Sequence, residues 1–510
     1  MTLHWLDVAT LLIYLLGMLV MGFYFSRKNT STEEYFLGGR AFSGWVIGLS
    51  LVGTSISSVS FLAYPADAYK TAWLRYLPNL MLPLGVLIAA WVFLPFFRRG
   101  NITSAYEYLE YRFGPSVRVY GAVAFIAAQL FRISMILYLL SLVIQEMTGL
   151  DVTTSIIIGG VFVAAYTIIG GIDAVIWTDV IQTVVLVFGG IFCLGVIVAE
   201  LPGGFEQIVS VAGQHGKLAF AELQNGELTP VSWDLSLLNK TGTMMLLIGL
   251  TSWLTEYCAN QNTVQRYCAA KSTRDARQAM LVCVCTSLPV WAFFMFLGTS
   301  LFVFFQEFPS LAATEMLNGE RKAEEILPYF ITHYLPPGLV GIVIAAAAAA
   351  AMSSLDSSIN AIATVSVVDI YRRHLVKGRD DRHYLRSAWV IATLTSVLMI
   401  GGAIYLAFAE TKTLQDTATI LISLLSGGLL GLYLLGFLTK SADTRSVWVG
   451  IACTMLFTGW ITLASKGLLP EAFNIPFDLY YVGMIGNVIL FIIGFTVSRL
   501  LSGKKDVASR

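Results

Sequence analysis

Charged residues are scarce in this 510-residue sequence: Asp, Glu, Lys and Arg make up only 13% of it, while hydrophobic residues make up 56%. Soluble domains carry about 25% charged residues, which they need to cover their surface. The apolar residues also lie in recurring runs of about 20, the length of helix that crosses a hydrocarbon core of about 30 Å. The composition therefore excludes an ordinary soluble domain and indicates a bundle of helices surrounded by lipid.

Motifs that define several other protein classes are missing as well. No GxxxxGK[ST] loop occurs and no hydrophilic segment is long enough for a nucleotide-binding domain, so an ATP-driven pump is not expected. The five histidines and six cysteines lack metal-site spacing, and no nucleophile–base constellation indicates an enzyme. The 32 basic and 32 acidic residues balance, which gives no reason to expect a nucleic-acid partner. No obligate protein partner is evident either.

The apolar runs predict thirteen spans, which must be helices because lipid offers the backbone no hydrogen-bond partners. Their approximate bounds are 6–26, 42–69, 76–97, 120–147, 153–171, 176–199, 241–264, 278–306, 336–368, 386–408, 415–438, 446–466 and 478–500. With the N-terminus outside and the C-terminus in the cytoplasm, 23 Lys and Arg residues are assigned to cytoplasmic segments, counting those at span ends, and eight to outer segments. Arg132 is the one left deep inside a span. This excess of positive charge supports that orientation.

Two of the predicted spans are interrupted by polar residues. The second contains Gly53-Thr54-Ser55-Ile56-Ser57-Ser58-Val59-Ser60, and the seventh contains Thr251-Ser252 and the run 255–261. Such stretches can unwind and offer carbonyl oxygens to an ion or solute, although the hydroxyls could instead bond back to their own helix. Paired interruptions predict an inverted-repeat transporter with halves at 42–199 and 241–438. The helix at 6–26 and the two within 446–500 would be peripheral.

The ninth span carries an acidic residue among hydroxyls. It contains the alanine run 345–351, where small residues let helices approach closely, and then Ser353, Asp356 and Ser357 on one face. An Asp at mid-membrane depth costs about 3 kcal/mol and is rarely without a partner. These oxygens indicate a site for a small cation, and a structural hydrogen-bond network is the alternative.

Two further charged residues are candidates for function. Asp179 begins the sixth span, where it could be an interfacial cap or a ligand. Arg132 lies about a dozen residues inside the fourth span, where a charge must be neutralised. Its partner is either a carboxylate of the protein, such as Glu256, or an anionic substrate.

Taken together, these residues resemble the sodium/solute symporter family, and the pattern is most similar to bacterial sodium/sialic acid symporters. The matching stretches are Tyr35-Phe36-Leu37-Gly38-Gly39, residues 103–110 with Arg112-Phe113, the run 170–182, Asn260-Gln261 with Val264-Gln265-Arg266, and Asp369-Ile370-Tyr371. The resemblance implies an all-α membrane protein with a five-plus-five inverted repeat and discontinuous helices at the binding site. It also implies sodium as the coupling ion and a bacterial inner-membrane location.

The resemblance further implies which residues bind ions and substrate. The implied ligands of a first sodium are Gly53, Ile56, Ala350, Ser353 and Ser354, and those of a second sodium are Asp179, Asp356 and Ser357. The implied substrate residues are Ser55, Ser57, Ser60, Asn79 and Arg132. The sequence departs from the family pattern at four positions: Gly53 replaces Ala, Asp356 replaces Ser, Asn79 replaces Gln and Arg75 replaces an aromatic residue.

The function expected from these observations is sodium-coupled import of a small solute, such as the sugar acid sialic acid, by alternating access. Uptake of a neutral sugar or another monocarboxylate is the alternative substrate hypothesis. Proton coupling through Glu256, Asp356 or Asp179 is the alternative energy source. A membrane sensor domain is a third possibility from a different class.

Overall fold

The computed structural model of the chain describes residues 4–27, 29–99, 102–224, 226–408, 428–465 and 467–508. The long helices and their segments are α1 Trp5–Ser26, α2 Gly44–Ser55, α3 Val59–Lys70, α4 Trp73–Arg98, α5 Pro115–Thr148, α6 Val152–Glu200, α7 Gly242–Ala259, α8 Gln261–Ala269, α9 Thr273–Glu307, α10 Leu339–Leu375, α11 Asp381–Phe408, α12 Leu429–Leu438, α13 Thr444–Ser465 and α14 Val482–Ala508. Shorter helices are Thr32–Leu37, Glu107–Phe113, Gly204–Gln214, Leu311–Asn318 and Ile326–Tyr334. The antiparallel strands β1 Ala221–Gln224 and β2 Glu227–Pro230 form a hairpin.

The helices confirm a protein that crosses a membrane many times. Among the described residues nine helices are long and apolar enough to span, or ten when α2 and α3, which meet at 59°, count as one. The 49 residues of α6 are broken at Gly171, so residues 152–170 and 172–200 match the fifth and sixth predicted spans. Residues 415–427 of the predicted eleventh span lie outside the described residues. The count of thirteen therefore stays a prediction.

Both predicted interruptions are present in the helices. After α2 the backbone becomes extended at Ile56 (φ −100°, ψ 101°), and the Ser57 hydroxyl accepts the Val59 N–H at 3.2 Å. After α7 it becomes extended at Asn260, whose side chain accepts the Asn262 N–H at 3.0 Å and caps α8. A short polar side chain at each break supplies the acceptor that the new helix start lacks. The polar residues thus break the helices locally.

Helix α10 lies at the centre of the bundle. In its most apolar stretch, 83% of the residues are buried. Its alanine run allows close contact with α6, since a Cβ added at Gly189 would lie 2.3 Å from the Ala346 Cβ. On another side a Cβ added at Gly341 would lie 2.5 Å from the Asp7 carbonyl oxygen of α1. Close packing of small residues replaces the hydrophobic effect as the force that joins helices in lipid. This packing fixes the polar end of the alanine run against α2 and α6.

Candidate ion and substrate sites

The residues predicted for a first sodium meet where α2 ends against α10. The Ser353 hydroxyl donates to the Gly53 carbonyl oxygen at 2.8 Å and lies 3.3 Å from that of Ala350. The Ser354 hydroxyl donates to the Thr54 carbonyl oxygen at 3.3 Å, beside the Ile56 break. All are buried. Hydroxyl and carbonyl oxygens are hard ligands that suit a small cation with little affinity for nitrogen or sulfur.

The departure from the family pattern at Gly53 follows from the contact between α2 and α6. A Cβ added to Gly53 would lie 2.9 Å from the Thr183 Oγ1 and 3.3 Å from the Asp179 Cβ. Thr183 itself donates to the Leu49 carbonyl oxygen at 3.2 Å, which holds its hydroxyl in this place. A glycine at position 53 therefore lets α6 approach, while its carbonyl oxygen keeps the same chemistry.

Two of the residues predicted for a second sodium bind a guanidinium. Arg266 Nη2 donates to Asp179 Oδ2 at 2.7 Å and to Ser357 Oγ at 2.5 Å. Its Nε donates to Ser50 Oγ at 2.8 Å, and that hydroxyl donates to Asp179 Oδ2 at 2.6 Å. Arg266 is only 1% exposed. Arg266 follows the seventh predicted span by two residues and was therefore expected on the cytoplasmic side, but the structure buries its side chain, so Arg132 is not the one arginine within the bundle.

The third of those residues, Asp356, accepts hydrogen bonds from hydroxyl groups of α6. Its Oδ2 accepts from Tyr166 Oη at 2.9 Å and from Thr178 Oγ1 at 3.4 Å. Its Oδ1 accepts the Ser357 N–H at 2.6 Å. Among the described residues no Lys, Arg or His nitrogen lies within 4 Å of this buried carboxylate. Asp356 is therefore solvated by neutral dipoles and has no ion-pair partner there.

All five predicted substrate residues line one cavity of about 550 Å³. The hydroxyl-bearing break after α2 contributes Ser55, Ser57 and Ser60, while α4 contributes Asn79 and α5 contributes Arg132. Asn79 Nδ2 donates to Tyr64 Oη at 2.9 Å, and the Trp291 indole N–H donates to Ser60 Oγ at 3.2 Å. Polar groups beside aromatic faces are typical of pockets that bind small organic ligands. The ion residues and the cavity therefore share the same broken helix.

The cations of this cavity differ in whether they are paired. Arg75 forms an ion pair with Asp67, and Lys240 lies 3.4 Å from Glu222 of β1. Arg132 and Lys70 form no ion pair with the described residues, and Arg132 also borders a smaller cavity of about 260 Å³.

The carboxylate considered as a partner of Arg132 has other hydrogen bonds. Glu256 accepts from Asn260 Nδ2 at 2.7 Å and from Thr263 Oγ1 at 2.6 Å. Both of its oxygens are thus used at the break between α7 and α8. Glu256 and Arg132 both line the cavity of about 260 Å³, but no ion pair joins them among the described residues.

The sequence analysis missed several polar residues of the sites: Tyr64, Trp291, Tyr166, Thr178 and Arg266. The first two line the cavity, and single aromatic residues in an apolar span carry no pattern that reveals this. The sequence did contain an indication that Arg266 is important, because this residue belongs to one of the stretches that match the family. Its position two residues beyond the predicted span led to the cytoplasmic assignment.

A group of ion pairs connects helices beside another cavity of about 630 Å³, which Arg118 and Arg373 line. Arg118 of α5 pairs with Asp369 of α10 at 2.6 Å and with Glu110 at 2.6 Å. Arg373 of α10 pairs with the same Glu110. Together these three ion pairs connect the first predicted half, which contains Arg118 and Glu110, to the second, which contains Asp369 and Arg373. We refer to Arg118, Glu110, Asp369 and Arg373 as the inner latch, because the predicted orientation places them toward the cytoplasm.

Comparisons with known proteins agree with this architecture. A family model described as the sodium:solute symporter family matches residues 35–452. The chain is 30% identical to the sodium/sialic acid symporter SiaT of Proteus mirabilis (strain HI4320), over 99% of this chain and 97% of that protein. It is 29% identical to the sodium/sialic acid symporter NanT of Aliivibrio fischeri (strain ATCC 700601 / ES114), over 97% of this chain and 93% of that protein.

Solved structures give the same result for the fold. A substrate-bound, outward-open structure of a sodium-coupled sialic acid symporter matches with a TM-score of 0.87 and 29% identity, covering 98% of each chain. A closed structure of a transporter of the nucleobase-cation-symport-1 family matches with a TM-score of 0.56 and 13% identity, over 92% of this chain and 95% of that one. The second similarity concerns the fold alone.

Proposed function

The chain belongs to the sodium:solute symporter family, and we propose that it couples inward movement of sodium to the uptake of a sugar acid of the sialic acid type by alternating access. The observation that carries the proposal is Arg132, a guanidinium without an ion pair among the described residues, in the cavity beside the oxygens of the first ion site. The sialic acid symporters to which the chain is similar support this substrate class. Each inward charge contributes about 2.3 kcal/mol per 100 mV of membrane potential.

The first sodium is assigned to the carbonyl oxygens of Gly53, Ile56 and Ala350 and the hydroxyls of Ser353 and Ser354. In the structure those hydroxyls bond to carbonyl oxygens of the broken helix. A sodium ion would replace those bonds and draw α2 and α10 together through its own charge. The resemblance also predicts a second sodium at Asp179, Asp356 and Ser357.

Coupling follows from the element that the ion and the solute share. The break after α2 provides both Gly53 and Ile56 to the ion and Ser55, Ser57 and Ser60 to the cavity. An ion that fixes this break therefore lowers the conformational freedom that the substrate must otherwise remove. Sodium binding is thus expected to raise substrate affinity, and by reciprocity the substrate raises sodium affinity.

The finer architecture is also part of the proposal. We assign residues 42–199 and 241–438 to two inverted repeats within thirteen spans, with the N-terminus periplasmic and the C-terminus cytoplasmic in a bacterial inner membrane. The helix breaks after α2 and after α7, five spans apart in that scheme, support the repeat. Arginine residues at the proposed cytoplasmic ends of the helices support the orientation, because cytoplasmic segments carry an excess of Lys and Arg. Arg98 donates to the Tyr267, Cys268 and Ala270 carbonyl oxygens.

Uptake by purified protein in sodium-free liposomes tests the proposal. At fixed pH, sialic acid should accumulate when external sodium replaces choline, and equal uptake in choline would contradict sodium coupling. A sodium-independent uptake that follows a pH gradient would favour proton coupling instead. Accumulation of a neutral sugar but no sugar acid would favour the alternative substrate.

The role of Arg132 is tested by comparing the acid with its neutral carboxamide. Wild type should bind the acid at least tenfold more tightly, because the guanidinium fork pairs with both carboxylate oxygens. Arg132→Lys should lose most of this preference, since an ammonium cannot reproduce the fork. Lys70→Gln, which removes another cation of the same cavity, is the matched control and should retain it. Equal affinity of wild type for acid and amide would contradict acid recognition.

A further inference from the structure

The first helix, α1, has most of its surface exposed. Only 17% of the residues in its most apolar stretch are buried, a smaller share than in any of the other long apolar helices among the described residues. Its few buried residues, Asp7, Met18, Gly22 and Phe25, recur at intervals that place them on one face of the helix. Asp7 is the one Asp, Glu, Lys or Arg of this helix. A carboxylate on an otherwise apolar helix needs a specific partner.

The partner of Asp7 is the first turn of α10. Its Oδ1 accepts the Gly338 N–H at 2.7 Å and the Gly341 N–H at 2.8 Å. Gly338 is the N-cap of α10 with φ at 94°, a conformation that favours glycine, and it has no side chain with which to cap the helix. The first N–H groups of a helix have no acceptor within that helix, and the side chain of the N-cap residue commonly supplies one. In this protein α1 supplies it instead.

The first turns of α1 and α10 lie side by side, and the carboxylate belongs to both. Asp7 lies in the first turn of α1, where its own N–H donates to the His4 carbonyl oxygen at 3.0 Å. Aligned peptide dipoles place partial positive charge at the N-terminal end of each helix. The Asp7 carboxylate is therefore stabilised by both helix ends, and it holds them together.

A second contact between α1 and α10 lies beside the predicted ligands of the first sodium. Tyr14 Oη donates to Met352 Sδ at 3.8 Å, and Met352 directly precedes Ser353. The same helix also contacts α6, because Gln182 Nε2 donates to Met18 Sδ at 3.8 Å. The first helix thus contacts α10 at two levels and joins it to α6.

The helix α10 can transmit a displacement of its first turn to the ion site. Its segment Leu339–Val365 is one continuous helix, with no proline or glycine between Gly341 and Ser353. Sharp kinks occur mostly at such residues, so this segment moves as a unit. Ser353 lies about 18 Å along the axis from Gly341. A tilt of α10 would change the distance of 2.8 Å between the Ser353 hydroxyl and the Gly53 carbonyl oxygen.

We infer that Asp7 is a positioning residue for the first sodium: by capping α10 from another helix, it holds Ser353 and Ser354 at the distance from α2 that the ion requires. The inference rests on the proposed function, which assigns the first sodium to these residues. Asp7 acts through α10 and is not a ligand of the ion. The first helix, which the sequence predicts to be peripheral, thereby contributes to ion affinity.

Removal of the acceptor tests this role. Asp7→Ala should raise the sodium concentration for half-maximal uptake by a factor of about three to five, since a typical helix cap changes an equilibrium about fivefold. The substrate KM at saturating sodium should stay near its wild-type value. Asp7→Asn should retain the wild-type sodium requirement, because its carbonyl oxygen can accept the same two N–H groups. A wild-type requirement in Asp7→Ala, or equal impairment in both variants, would overturn the inference.

The matched control is Asp151→Ala, which removes a cap from another helix. Asp151 Oδ2 accepts the Thr154 N–H at 3.0 Å at the start of α6, in the part of that helix that precedes the break at Gly171. This part of α6 supplies no proposed ligand of the first sodium. Asp151→Ala should therefore keep the wild-type sodium requirement. An increase equal to that of Asp7→Ala would mean that any lost cap has this effect, and would overturn the specific role of Asp7.

A second pair of variants displaces α1 without changing a charge, and it decides the question if Asp7→Ala does not fold. A Cβ at Gly341 would lie 2.5 Å from the Asp7 carbonyl oxygen, whereas a Cβ at Gly17 of α1 would meet no atom within 4 Å. Gly341→Ala should therefore raise the sodium requirement, and Gly17→Ala should leave it unchanged. Equal values for the two variants would contradict the inference.

Thermal unfolding of the purified protein in detergent separates positioning from stability and needs no transport. Sodium that binds the folded protein raises the unfolding temperature, and this increase should be smaller in Asp7→Ala than in wild type. A cap with only a structural role would lower the unfolding temperature but leave the increase on adding sodium unchanged, which would overturn the inference. Wild type that responds to sodium in neither assay would contradict the proposed function itself.

Discussion

At the scale of single residues, the proposed first sodium site depends on a few oxygen atoms that two helices position. Ser353 and Ser354 each donate a hydrogen bond to a backbone carbonyl oxygen at the end of α2. The geometry of the site therefore depends on where that helix ends. Both side chains are buried, each with only 1% of its surface exposed. Each is therefore expected to contribute to ion affinity more than a surface hydroxyl would.

Ser353→Ala and Ser354→Ala should each weaken sodium binding. Loss of one oxygen ligand from five leaves the ion undercoordinated, which we expect to cost about 1–2 kcal/mol and raise the sodium requirement roughly tenfold. Sodium activation of uptake measures this change. Ser396→Ala is the control, since its hydroxyl bonds to the Ala392 carbonyl oxygen of its own helix. The assignment fails if both site variants keep the wild-type sodium dependence.

At the scale of elements, function depends on where helices stop. α2 and α7 stop at extended residues near mid-bundle, and α6 turns at Gly171, where φ is 61° and ψ is −164°. This backbone region is accessible almost only to glycine. A Cβ at Gly171 would also lie 2.8 Å from the Tyr35 ring. The turn positions residues 172–200, which bring Thr178 to Asp356 and Asp179 to Arg266.

Gly171→Ala should lower stability through this turn. Backbone strain of about 1–3 kcal/mol, together with the contact to Tyr35, should reduce the temperature of thermal unfolding by several degrees. Thermal unfolding in detergent measures the change. Gly195→Ala on the same helix has open space around its Cβ and should have little effect. Equal unfolding temperatures for the two variants would contradict a strained turn.

Another element-scale contact joins the 201–240 loop to the C-terminal end of α3. The Lys217 Nζ donates to the Tyr69 and Thr71 carbonyl oxygens at 2.7 and 3.0 Å, and it lies 4.1 Å from the centre of the Phe302 ring. The ring favours the ammonium form, but burial has the larger effect and lowers the pKa of Lys217 from 10.5 to about 7. Lys217 thus carries a proton more readily in the unfolded chain than in the folded one.

This difference predicts a pH dependence of stability. Between pH 7 and 10.5 the unfolded chain binds more protons at Lys217, so stability should increase as pH rises through that window. Below the folded pKa the residue contributes no slope. Lys217→Met should remove this component, measured as unfolding temperature against pH. A slope that persists in the variant would assign the effect to other groups.

At the scale of the whole molecule, the substrate cavity and the inner latch are separate sites with different lining residues. The cavity reaches the hairpin of the 201–240 loop through Ala221 and Leu223. The latch joins α5 to α10 through Arg118, whose side chain is 8% exposed, and the fully buried Asp369. Ion pairs that join packed elements at one end favour the state in which that end is closed. The inner latch should therefore stabilise the outward-facing state.

Weakening the latch should shift the protein toward the inward-facing state. Asp369→Asn removes one of the two ion pairs of Arg118 and leaves only the pair with Glu110. A thiol placed at Ser55 in a cysteine-free background should then react more slowly from outside. Sodium affinity from outside should fall in parallel. Arg321→Met, which breaks the exposed pair with Glu325, is the control. Unchanged labelling in Asp369→Asn would exclude the latch from the equilibrium between the two states.

The sequence by itself determined the class of protein, most span positions and both helix breaks, because hydropathy and local polar residues act within one helix. The five residues predicted for the substrate, which came from similarity to the family, line one cavity, and their role in binding stays a prediction. Only the tertiary structure decided how the charges pair. Arg266 and Asp179 are 87 positions apart, and Tyr166 and Asp356 are 190 apart. Which buried acid a guanidinium neutralises depends on the packing of separate helices, and no local pattern records that choice.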